Sequence, residues 1–89
     1  MDIVHDPAGH QFRVEVDGHL GVVDYTLRDG AMIITHTEVP SSIGGRCIAA
    51  ELTRTALDTA RRKGSKVVPA CSYAAAFIRR HPEFAGLLA

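Results

Sequence analysis

The sequence predicts one α+β domain with the element order βββ-α-β-α, an antiparallel meander extended by a single parallel strand. Three observations carry this reading. Apolar residues recur at every second position in the first half, an Asp-Gly pair interrupts that pattern as a tight hairpin would, and beyond Pro40 the apolar spacing becomes helical.

His10–Asp17 reads as the first strand, with Phe12, Val14 and Val16 on one face and Arg13, Glu15 and Asp17 on the other. Gly18 with His19 marks the turn that follows. Leu20–Leu27 and Ala31–Thr37 are rich in β-branched or aromatic residues and form the next two strands. Asp29-Gly30 joins them, because Gly tolerates the positive φ of a tight turn.

Ser41 and Ser42, after Pro40, offer a helix start. Ile48, Ala49, Leu52, Ala56 and Ala60 then follow at helical spacing, with Glu51, Arg54, Asp58, Arg61 and Arg62 on the opposite face. Asp58 and Arg62 stand four apart, the separation of a surface ion pair. Arg61, Arg62 and Lys63 suit the negative end of the helix dipole, and Gly64 suits the residue after it. Lys66–Pro69 reads as a short buried strand. Ser72 is expected to cap a second helix running to about Arg80, halted by His81-Pro82.

A strand–helix–strand unit joins parallel strands, so Ile33–Val39 and Lys66–Pro69 are expected side by side with the long helix across one face. Ligands of such sheets favour the crevice beyond the strand carboxyl ends. Val39–Ala49 would form one side of that crevice and Pro69–Tyr73 the other.

Composition bounds the function. The chain has 89 residues, so residues 1–89 are read as a single domain; 46% of them are hydrophobic and 22% charged, a folded rather than disordered balance. No apolar run approaches the roughly 20 residues of a membrane span, and Met1–His10 lacks the basic and apolar regions of a secretory leader. Two cysteines without CxxC spacing make no disulfide scaffold, and the expected compartment is a reducing cytoplasm. A net charge of zero argues against nucleic acid as the main partner. That zero conceals a division. Residues 1–45 carry two Arg against seven Asp or Glu, and residues 46–89 carry eight Lys or Arg against three. Either the halves attract each other within the fold, or the basic half receives a small anion.

Ile43-Gly44-Gly45-Arg46-Cys47-Ile48-Ala49 is a glycine-containing turn feeding a helix. Free N–H groups of a first helical turn accept an anion, Gly44 and Gly45 allow close approach, and Arg46 adds a guanidinium fork. The plainer reading is a flexible helix entry, since neither a Walker loop nor GxGxxG is present. Cys71 stands between a strand and a helix start, where helical N–H groups favour a nucleophilic thiolate; alternatively it is a small core residue. Cys47 fits a core or turn role better. His5, His10, His19, His36 and His81 show no metal-ligand spacing, and no metal is expected. A Cys71–His81 dyad is not expected, because the second helix is about 13 Å long. Glu38, near the carboxyl end of a central strand, is the better base candidate, or simply one exposed carboxylate among seven.

The strings IITHTEVP, GGRCIA, KVVPACSY and HPEF, in that order, resemble the small single-domain GCN5-related N-acetyltransferase-like proteins of the YjdJ type, from about Ile3 to Leu87. The resemblance implies a minimal acetyltransferase-like fold with acetyl-coenzyme A as acyl donor. Its pantetheine arm would pair with backbone at Thr37–Val39, and its diphosphate would meet amides of Gly45, Arg46, Cys47, Ile48 and Ala49. Cys71 would lie at the thioester as an acyl-accepting or catalytic thiol. The superfamily loop runs Arg/Gln-x-x-Gly-x-Gly/Ala; here Gly44 replaces the first residue and Cys47 the central glycine. Larger relatives carry extra N-terminal helices around the acceptor, so an open acceptor site, or one completed by a protein partner, is expected.

Three functions follow as expectations. The first is acetyl transfer to a small amine or peptide amine, with Cys71 as carrier or polarising neighbour and Glu38 or water taking the amine proton. The second is a non-catalytic coenzyme A or acyl-thioester binding module. The third is an interaction domain that keeps the fold without the ligand.

Overall fold

The computed structural model describes every residue from Met1 to Ala89. Five strands form one sheet in sequential order: β1 (Val4–Asp6), β2 (Gln11–Val16), β3 (His19–Arg28), β4 (Ala31–Glu38) and β5 (Lys66–Pro69). The first four pair antiparallel, and β5 joins β4 in parallel. Helix α1 (Gly45–Arg62) connects β4 to β5, and α2 (Ser72–Arg80) follows β5. The α+β meander with one parallel strand is therefore as the sequence reads.

Of the three hairpin loops, those joining β2 to β3 and β3 to β4 have two residues, Asp17-Gly18 and Asp29-Gly30, and in each pair both φ angles are positive. That is the primed turn whose twist matches the strands it joins. His19 belongs to β3, so the first turn is Asp17-Gly18 rather than Gly18-His19.

Two elements lie outside the sequence reading. The edge strand β1 carries no apolar alternation. Its His5 ring stacks on Phe12 at 4.1 Å between centroids and Nε2 lies 2.7 Å from the Tyr25 hydroxyl, while Arg13 pairs with Asp6 at 3.2 Å. Burial lowers the His5 pKa, the Lys63 charge lowers it further, and Asp6 opposes. After α2 comes a 3₁₀ turn, Pro82–Leu87, anchored by the buried Phe84. Arg61 covers the Phe84 ring at 4.8 Å and Arg54 covers it at 5.6 Å. Leu88 then bridges Val67 beside β5.

One face of the sheet holds the core. Phe12, Val14, Val23, Tyr25, Met32, Ile34 and Val67 project from it against Ile48, Leu52, Ala56, Leu57 and Ala60 of α1 and Phe77 and Ile78 of α2. The opposite face is open. Gly21 sets the depth at which α1 begins, since a Cβ there would stand 3.1 Å from Val39 Cγ2 and 3.4 Å from Ile48 Cγ2.

The start of α1 differs in detail from the expected serine cap. Ser41–Ile43 form a 3₁₀ turn, and Gly44 at φ 89° ends it and serves as N-cap of α1 without a side-chain bond. At the other end Arg61 pairs with Asp58 at 3.8 Å, and Arg62 bonds Thr59 Oγ1 at 3.2 Å instead of reaching Asp58.

Candidate functional site

The β4–β5 pairing ends at Ile34–Pro69, although β4 continues to Glu38 along β3. Ala70 and Cys71 N–H groups both donate to the Ile34 carbonyl, and there the chain turns away into α2. The last part of β4 thus has one edge without a strand neighbour, facing the start of α2. A cleft of about 240 Å³ opens at this splay, lined by Thr37, Val39, Ser41, Gly45, Arg46, Ala49 and Tyr73. This is the crevice expected between Val39–Ala49 and the residues up to Tyr73.

A β-bulge decides which side chains of β4 face it. Tyr25 pairs with Ile34 but Asp24 pairs with His36, so Thr35 is an extra residue. Met32 and Ile34 face the core before the bulge; after it Thr37, opposite buried Val23, takes that face. Thr37 Oγ1 consequently lies 3.5 Å from Cys71 Sγ. Glu38 turns to the open face beside His36, whose Nε2 is 3.6 Å from its carboxylate, and does not line the cleft.

Cys71, half-buried, is itself the N-cap of α2, with φ −98° and ψ 151°. Its Sγ accepts from the Ala74 N–H at 3.4 Å. The expected cap, Ser72, is instead the first helical residue and makes no cap bond.

At α1 the amides of Gly45 and Arg46 donate to no backbone carbonyl, while Cys47 N–H bonds Gly44 O at 3.0 Å. No acidic residue occupies the first turn. Gly44 has a positive φ, no neighbouring atom lies within 4 Å of where a Gly44 or Gly45 Cβ would stand, and Gly45 and Arg46 line the cleft. Ile48 spends its side chain in the core and Cys47 is exposed; neither lines the cleft.

Ser41 and Tyr73 line the cleft; the sequence places both in the stretches that flank the crevice but gives neither a site role. Tyr73 had a legible signal, since it stands in the first turn of the helix that Cys71 begins. Its pKa is raised, chiefly by burial, while the nearby Arg46 and Arg80 charges lower it, so the phenol stays protonated at neutral pH. His81 is far from forming a dyad with Cys71. Its ring stacks on Phe77 at 4.0 Å and its Nδ1 donates to the Phe77 carbonyl at 2.8 Å.

No helix is long and apolar enough to cross a membrane. The solution NMR structure of a GCN5-like protein from Staphylococcus aureus is similar in fold, with a TM-score of 0.78 at 20% identity over 99% of this chain and 87% of that one. Residues 11–87 match the family model described as GCN5-related N-acetyl-transferase, a span that contains β2–β5, both helices and every residue of the cleft. The chain belongs to the GCN5-related N-acetyltransferase family.

Proposed function

We propose that the protein binds acetyl-coenzyme A in the cleft at the β4–β5 splay and passes the acetyl group to a small amine or a peptide amine by way of Cys71. The observation that carries this reading is the thiol held at the splay, with its sulfur accepting from the Ala74 N–H and touching Thr37. The pantetheine arm pairs with the free edge of β4 at Thr37–Val39. The diphosphate meets the Gly45 and Arg46 amides and the Arg46 guanidinium, with Gly44 keeping the approach open and Cys47, Ile48 and Ala49 contributing main chain only. An amide bonded to an anion contributes about 1.5–3 kcal/mol.

In the transfer, Cys71 Sγ adds to the thioester carbonyl and the bond from that carbon to the coenzyme A sulfur breaks. The departing thiolate takes the proton that Cys71 gives up. The acceptor amine then attacks the acyl-cysteine, an amide forms, and Cys71 is released as thiol with the proton shed by the nitrogen. That proton travels by water, since Glu38 turns to the sheet face opposite the one where Thr37 meets Cys71. The acceptor side is open, or closed by a protein partner.

A second reading, a coenzyme A-binding module without turnover, is favoured by one observation: no carboxylate or imidazole lines the cleft. Turnover separates the two. Incubation with acetyl-coenzyme A and a panel of amines should release free thiol in the wild type. Cys71→Ser should lose that release while keeping its fold, because Ser serves as N-cap at least as well as Cys. Cys71→Ala should lose the release and also about 0.5–2 kcal/mol of stability, measured in urea. Turnover unchanged in Cys71→Ser removes the acyl-cysteine, and no turnover in the wild type leaves the binding module.

A further inference from the structure

The proton that Cys71 gives up needs a path to the departing sulfur, and the cleft limits what can supply one. No carboxylate or imidazole lines it, and its side-chain hydroxyls are those of Thr37, Ser41 and Tyr73. Cys71 itself does not line the cleft. Of the three hydroxyls only that of Thr37 bonds the sulfur, with Oγ1 3.5 Å from Sγ, and this oxygen has no other partner in the protein. Thr37 thus stands between the thiol on one side and the cleft on the other.

The bulge in β4 puts it there. Strict alternation from Met32 and Ile34 would carry His36 and Glu38 to the core face and turn Thr37 out; the extra residue, Thr35, exchanges them. The exchange sets a neutral hydroxyl beside the sulfur in place of ionisable groups. A carboxylate in that half-buried position would lose hydration and repel a thiolate, whereas a hydroxyl does neither. A threonine hydroxyl also donates one proton and accepts two bonds, so it serves the sulfur in both of its states. It accepts from the S–H of the thiol and donates to the thiolate, beside the Ala74 N–H that reaches the same atom at 3.4 Å. Branching at Cβ restricts χ1 and keeps the oxygen in place.

We propose that Thr37 positions the Cys71 thiol and relays its proton into the cleft. This rests on the acyl-cysteine assignment above. As Sγ adds to the thioester carbonyl, the S–H proton passes to Thr37 Oγ1. The proton that Thr37 carried passes to the coenzyme A sulfur as its bond to the acyl carbon breaks. Thr37 ends as it began, and the two sulfurs have exchanged an acyl group for a proton. When the acceptor amine later releases Cys71, the same hydroxyl returns a proton from water to Sγ.

The test uses Thr37→Val, which removes the hydroxyl and keeps the branched shape, and Thr37→Ser, which keeps the hydroxyl and drops the methyl. Two rates are read at Cys71 by peptide-resolved mass spectrometry. One is acetylation by saturating acetyl-coenzyme A without an acceptor, and the other is alkylation by iodoacetamide without the donor. Thr37→Val should slow acetylation about tenfold or more and slow alkylation severalfold. Thr37→Ser should recover both to within about threefold, and calorimetric affinity for coenzyme A should stay within about twofold in either variant, because the arm pairs with main chain. Acetylation as fast in Thr37→Val as in the wild type overturns the relay, and unchanged alkylation overturns the positioning. A loss in Thr37→Ser as large as in Thr37→Val assigns the effect to packing and overturns both, with the acyl-cysteine left standing. A wild type that binds coenzyme A yet never acetylates Cys71 overturns the acyl-cysteine and the relay together.

Discussion

Cys47 and Thr53 make opposite contributions to α1, and each can be read separately. Cys47 stands third in the helix, exposed, at the position where the resemblance implies a glycine. Cys47→Gly should cost up to about 1 kcal/mol of folding stability, because glycine in a helix loses more backbone freedom. It should nevertheless tighten coenzyme A binding by letting the diphosphate approach the amides; calorimetry and urea unfolding on the same variant check both signs. Thr53 is fully buried and its Oγ1 has no hydrogen-bond partner. Thr53→Val keeps the shape and removes an unpaired hydroxyl, so the urea midpoint should rise, by about 1 kcal/mol in free energy. Nothing in the sequence marks Thr53, since threonine tolerates either environment. Cys71 illustrates the same limit more sharply: its place at a helix start is legible, but whether Cys71 or Ser72 caps is settled by one φ/ψ pair.

Elements with strong local patterns were legible, and those held by long-range contacts were not. Asp29-Gly30 dictates its hairpin, and Ile48, Ala49, Leu52, Ala56 and Ala60 do face the core. The bulge at Thr35 has no sequence signature, yet it reverses the faces of Thr37 and Glu38 and therefore decides which of them meets Cys71. β1 has three residues and no alternation; ring stacking and one ion pair secure it. That makes it pH-sensitive. The folded state lowers the pKa of His5 below its ordinary 6.5 and so favours the neutral ring. Its contribution is complete above pH 6.5 and is lost as pH falls below that value toward the folded pKa. Melting temperature should therefore decline from about pH 7.5 to about pH 5, and His5→Phe, which keeps the stack on Phe12, should flatten the decline. An equal slope in both proteins would assign the effect elsewhere. Asp6, whose pKa is lowered by the Gly9 N–H and Arg13, adds its own loss only at more acidic pH, below 3.8.

At the scale of the molecule, two layers leave one sheet face bare and gather the anion-seeking groups on the other. The acidic half of the chain supplies the meander, and the basic half supplies both helices and the parallel strand. The sequence poses attraction between the halves against anion binding. No ion pair joins the halves: Arg13 pairs with Asp6 and His36 with Glu38 inside the first, and Arg54 with Glu83 and Arg61 with Asp58 inside the second, while Arg46 and Arg80 pair with no carboxylate. In the proposed function, the splay at the end of β4 and the first amides of α1 receive the acyl donor. Its most direct test is an amide-resolved NMR titration with coenzyme A. The shifts should concentrate at Thr37–Val39, Gly45–Ala49 and Cys71–Tyr73, with the open face and β1 unmoved. Changes confined to the open face, or none at millimolar ligand, would contradict it.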